Sequence, residues 1–93
     1  MVKHIVLYTL KDGVDKTEAV KLIASKLDPL VGKIPGLLHL EIRKGFNGMD
    51  YALYSEFETA ADIPAYRANP LHEEAKEHFH HLLQTRVVID YEV

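Results

Sequence analysis

The chain has 93 residues, 47% of them apolar and 27% charged, with a formal net charge of -3; this ordinary globular composition excludes a disordered or fibrous protein. It contains no cysteine, which rules out a disulfide framework, thiolate metal ligands and a cysteine nucleophile. There is no apolar run long enough to span a bilayer, no signal-like start and no Lys/Arg cluster interleaved with aromatics, so neither membrane nor nucleic acid is an expected partner and a cytoplasmic location is expected.

Residues 3–10 alternate, with His4, Val6, Tyr8 and Leu10 on one side and Lys3, Ile5, Leu7 and Thr9 on the other. Both sides are largely apolar, the pattern of a central strand covered on both faces. Lys11-Asp12-Gly13 closes it as a turn. From Asp15 onward, Val20, Ile23, Leu27, Leu30, Val31 and Ile34 recur at spacings of three and four and form one helical stripe. Pro29 inside that stripe predicts a kink or a restart with Asp28 as N-cap, and Pro35-Gly36 ends the segment.

Leu37 to Lys44 reads as a strand, Gly45 to Asp50 as a hairpin connection containing Asn47-Gly48, and Tyr51 to Glu58 as the return strand. Thr59 and Asp62 have the spacing of a capping box that opens a short helix. Asn69-Pro70 predicts an N-cap followed by proline at the first helical position. The helix it opens is expected to run through Leu83 and to bury Leu71, Ala75, Phe79, Leu82 and Leu83. Thr85 to Val93 is the last strand, with Val87, Ile89, Tyr91 and Val93 alternating with Arg86, Val88, Asp90 and Glu92.

The resulting order is βαββαβ, an α+β, ferredoxin-like arrangement with a four-stranded antiparallel sheet in one domain, residues 1–93. Its helices cover one face of the sheet. The opposite face, carrying Ile5 and Leu7, is left apolar and uncovered, and a homodimer joined sheet to sheet is the simplest way to bury it.

Three polar side chains fall on otherwise apolar walls: Tyr66 and His72 at the junction of two helical segments, and His4 on the first strand. His72 sits near the positive end of a helix and beside apolar residues, both of which disfavour imidazolium. A neutral imidazole there has the character of a general base, and a tyrosine hydroxyl is a donor to a carbonyl or enolate oxygen. Glu74 with His78, and Glu77 with His81, are i, i+4 pairs, but neither forms H-E-x-x-H; they are read as solvated ion pairs, and no metal is assigned. Gly45-Phe46-Asn47-Gly48 is too short for a phosphate cradle.

With K-H-I-V-L-Y-T-L-K-D-G, K-I-P-G, F-E-T-A-A-D-I-P-A-Y-R-A-N-P-L-H and V-V-I-D-Y-E-V in that order, the chain resembles the stress-responsive A/B barrel (Dabb) family over nearly its whole length. The resemblance implies a dimeric α+β barrel. In plant polyketide cyclases of that family a Y-x-x-x-P-x-H segment performs an aldol ring closure, and a first-strand histidine lines the same cavity; the matching positions are Tyr66, His72 and His4. The family also implies that the face of the third strand bearing Leu53, Ser55 and Phe57 turns toward the helices, so the expected walls are Val6, Tyr8, Leu53 and Phe57. Other members hold a metal through main-chain carbonyls near what would be Val31, Ile34 and Leu37, a feature that leaves no mark on side chains. The function expected from these readings is binding of a small apolar or aromatic carbonyl compound, without cofactor. The alternatives are a cofactor-independent cyclase or isomerase using His72 as base and Tyr66 as oxyanion donor, and, by fold analogy, a cofactor-free monooxygenase.

Overall fold

The alternating opening segment forms one of the two inner strands of the sheet. The computed structural model describes all 93 residues and places β1 at Val2–Leu10, α1 at Lys16–Leu27, β2 at Leu37–Lys44, β3 at Tyr51–Phe57, α2 at Asp62–Ala68, α3 at Pro70–Glu77 and β4 at Leu83–Glu92. The sheet order is β2-β3-β1-β4, with every neighbouring pair antiparallel, so the fold is ferredoxin-like. Val2, His4, Val6 and Leu10 of β1, together with Tyr51, Leu53, Ser55 and Phe57 of β3, are buried beneath the helices, against Ala19, Ile23 and Leu27 of α1 and Ala75 and Phe79.

Local chemistry accounts for most boundaries. Asp15 caps α1 by accepting the Glu18 amide at 3.0 Å, and Asn69 caps α3 by accepting the Leu71 amide at 2.9 Å, with Pro70 at the first position. Gly36 has φ of +85°, and a Cβ there would stand 2.3 Å from the Asp62 carboxyl carbon, so both conformation and space demand glycine. Asp50 ends the β2–β3 connection by reaching back to β1. Its carboxylate accepts the Leu10 amide at 2.7 Å and pairs with Lys16 at 3.3 Å.

That amide, seconded by Lys16, holds the Asp50 carboxyl below its ordinary range of about 3.8. A depressed carboxylate pKa contributes stability that is present above the unfolded value and is lost as pH falls through the folded one. Asp50→Asn should therefore lower the urea midpoint at pH 6, and the gap to wild type should close as the pH drops below about 4. A gap that persists unchanged in acid would show that the carboxylate charge contributes nothing.

Several expected boundaries are corrected. Asp28 does not act as an N-cap: α1 is followed directly by a 3-10 turn, Asp28–Leu30, that holds Pro29 in its first turn and has no side-chain cap. Val31 is exposed, and Ala19 supplies buried surface on α1 instead. The Thr59–Asp62 box is half formed. Asp62 accepts the Thr59 amide at 2.9 Å, but α2 starts at Asp62, with no side-chain cap at its N-cap, Ala61. The third helix stops at Glu77 rather than Leu83, because Phe79 leaves helical geometry at φ -137° and a second 3-10 turn, His80–Leu82, carries the chain into β4. Leu71, in the first turn of α3, is exposed, and Leu82 and Leu83, beyond the helix end, are only partly buried; the early exit lets β4 begin at Leu83, opposite Leu10.

β1 is covered on one face only within the chain. On its outer side Ile5 and Leu7 lie in register with Ile89 and Val87, and Leu7, Val87, Ile89 and Tyr91 are all exposed. Toward β2 the same face turns polar, with Lys3, Glu56, Glu41 and Arg43. The apolar part is thus confined to the β1–β4 half of the sheet.

Candidate functional site

The break between α2 and α3 brings Tyr66 and His72 together. Asn69 is extended, with ψ of 131°, between two helical segments, so the chain turns sharply and the two rings meet with centroids 4.4 Å apart. Tyr66 is buried, and its ring edge rests on Phe57 at 5.3 Å. Its hydroxyl is buried with no hydrogen-bond partner, an arrangement that native proteins seldom leave without a reason. Burial pushes the phenol well above its ordinary range, so it remains a protonated donor at neutral pH.

Burial also pulls the His72 imidazole below its usual value, with the Lys76 and Arg67 charges adding to the effect against the Arg67 carbonyl and Glu73. That carbonyl lies 3.3 Å from Nδ1. Burial favours the neutral ring, and a neutral ring whose Nδ1–H donates to that carbonyl keeps its lone pair on Nε2.

His4 enters from β1. Its Nδ1 is hydrogen-bonded to the Asp90 carboxylate across the β1–β4 ladder, its carbonyl accepts the Ser55 hydroxyl at 3.1 Å, and its ring meets the Phe57 edge at 6.0 Å. Nothing in the sequence marks Asp90 as a site residue, because it stands at an ordinary polar position of an alternating strand. Only the register that sets it opposite His4 gives it a partner.

His4, Tyr8, Leu53, Tyr66 and His72 line a single cavity of about 300 Å³ between the sheet, the α2–α3 junction and the start of β4. The other two expected walls do not reach it. Val6 and Phe57 are completely enclosed in the core, where Phe57 supports Tyr66 and His4 from beneath. Their places are taken by Tyr51, Leu27, Phe79 and Leu83. Tyr51 stacks on Tyr8 at 4.7 Å, and its parity with Leu53 on β3 was the signal that would have found it. Arg67, Glu73, Lys76 and Arg86 complete the rim; each reads as a solvated charge until the fold gathers them.

His80, in the 3-10 turn after α3, also stands at the cavity. The expected ion pairs of Glu74 with His78 and of Glu77 with His81 do not form, since α3 ends between their members; on this helix Glu73 lies 3.5 Å from Lys76 and 3.9 Å from His72 Nδ1. No three His, Asp or Glu side chains converge closely enough to hold a metal ion, and no helix is long and apolar enough to cross a membrane.

An open antiparallel sheet with a polar-studded cavity under its helices defines a small α+β protein of ferredoxin-like fold. Residues 2–93 match the Stress responsive A/B Barrel Domain, Dabb, and the chain belongs to that family. It is similar to a solved Bacteroides fragilis structure described as a dimeric protein of unknown function with a ferredoxin-like fold, at 31% identity and a TM-score of 0.88, covering 99% of this chain and 95% of that one. A protein of Arabidopsis thaliana is 29% identical with a TM-score of 0.83, over 100% and 95% of the two chains. A hydroxynitrile lyase from Passiflora edulis shares the fold at 20% identity and a TM-score of 0.78, over 97% and 90%. No curated protein matches.

Proposed function

We propose that this Dabb protein binds a small apolar or aromatic compound bearing a carbonyl, in the cavity between sheet and helices. The observation that carries the reading is the Tyr66 hydroxyl: a buried donor without a partner, in a cavity whose apolar part is built from Leu27, Leu53, Phe79 and aromatic rings. A ligand oxygen would satisfy it, and the apolar wall would take the ligand's body. The same reading includes a homodimer through the outer β1–β4 face, in keeping with the dimeric description of the Bacteroides fragilis structure.

Acetophenone and ethylbenzene test it, because they share shape and differ in the carbonyl. Acetophenone should shift the ring resonances of His72 and His4 while leaving His81 unmoved. Tyr66→Phe should weaken acetophenone by about tenfold, the worth of one buried hydrogen bond, and leave ethylbenzene unchanged. Equal losses for both compounds, or no shift at His72, would remove the basis of the proposal.

A second reading rests on His72. A neutral imidazole whose Nδ1–H is held by the Arg67 carbonyl presents Nε2 as base beside the Tyr66 donor. In that reading a proton next to the ligand carbonyl passes from carbon to Nε2, and the enolate oxygen accepts the Tyr66 hydrogen bond. Solvent deuterium entering the acetophenone methyl group in wild type, and not in His72→Ala, separates this reading from binding alone.

A further inference from the structure

Two guanidinium groups stand at the cavity without a carboxylate partner. Arg67 lies near the end of α2, and Arg86 lies on β4 across the ladder from Tyr8. Both line the cavity, and neither belongs to any ion pair of the protein. The other charges at the rim are already matched, Lys76 by Glu73 at 3.5 Å. The nearby carboxylate of Asp90 is engaged by His4. Arg86 and Arg67 therefore place two uncompensated positive charges at the cavity of a chain whose formal charge is -3.

Both charges reach the Tyr8 phenol. Burial raises the Tyr8 phenol, while the Arg86 and Arg67 charges, one from the strand and one from the helical layer, pull it back down. Two guanidinium groups lining one cavity repel each other, and an anion held there would relieve that repulsion. Their planar forks match a carboxylate through paired N–H donors.

Building on the reading of the cavity as a carbonyl-binding site, we infer that its natural occupant is a carboxylic acid, whose carboxylate is held by Arg67 and Arg86 near Tyr8 while its carbonyl oxygen meets the Tyr66 hydroxyl. The ligand class is thus an apolar or aromatic keto acid small enough for about 300 Å³. Such a molecule has one anionic end and one neutral acceptor, as the cavity has one cationic side and one neutral donor.

The test compares 4-acetylbenzoate with neutral 4-acetylbenzamide by calorimetric or NMR titration of the intact protein. At low salt the acid should bind at least about tenfold tighter than the amide, and that preference should collapse at high salt, as partly exposed charge contacts require. The variants R67Q and R86Q should each reduce the preference and the double variant should abolish it. Their unfolding midpoints serve as the folding check, since exposed substitutions have small effects. Equal affinity of acid and amide in wild type, or a preference that survives in R67Q/R86Q, overturns the inference and leaves the acetophenone result standing. Binding of 4-acetylphenyl phosphate about tenfold tighter than the acid overturns the carboxylate assignment in favour of a phosphate. If acid, amide and acetophenone all fail to bind, the cavity reading falls with it.

Discussion

Leu7→Asp should leave the protein monomeric or unfolded, where wild type at micromolar concentration should scatter light at twice the chain mass. Leu7 lies in register with Val87 and next to the Ile5–Ile89 pair. Val87 and Ile89 are 60% and 58% exposed in the single chain, so the patch is contiguous, apolar and uncovered. A two-fold interface built on it would bury two copies of any charge introduced there. A buried carboxylate without a partner costs about 3–5 kcal/mol, and even the lower figure weakens association more than about hundredfold. Val87→Asp, on the more open edge strand, keeps the test decisive if Leu7→Asp does not fold. A dimer that survives both changes would place the interface elsewhere.

Phe57→Ala should cost about 3–5 kcal/mol, as truncation of fully enclosed phenylalanines does. The residue has no exposed surface, and its ring lies under both Tyr66 at 5.3 Å and His4 at 6.0 Å. Against a total of about 5–14 kcal/mol for a domain of this size, such a loss should appear as a large fall in the urea midpoint. The same change should broaden or shift the Tyr66 and His4 ring resonances, because their support is gone while their own atoms are intact. A loss below about 1 kcal/mol would mean that the site rests on other contacts.

Both predictions depend on which face a residue occupies, and that was legible along the chain. Alternation in β1 assigned His4, Val6 and Tyr8 to the helix side and Ile5 and Leu7 to the other, and the burial of β1 follows it. Asn69-Pro70 announced α3 because a cap and an N1 proline act within a single turn. The junction that seats Tyr66 against His72 is therefore local information. The end of α3 was not legible. Its apolar spacing continues through Leu82 and Leu83, but the strand those residues must enter is fixed by pairing with Leu10, and that distant demand overrides local periodicity.

By itself, the sequence determined the element order, the ferredoxin-like class, the Dabb family and the identities of Tyr66, His72 and His4, all of which rest on signals spanning a turn, a strand or a motif. Tertiary structure alone decided what surrounds those three groups. It enclosed Val6 and Phe57 in the core instead of the cavity wall, gave His4 its Asp90 partner from 86 positions away, and brought Arg67 and Arg86 to one rim. The physical reason is that alternation tells which face of a strand a side chain takes, whereas the β1–β4 register and the angle of the α2–α3 junction determine what stands opposite it.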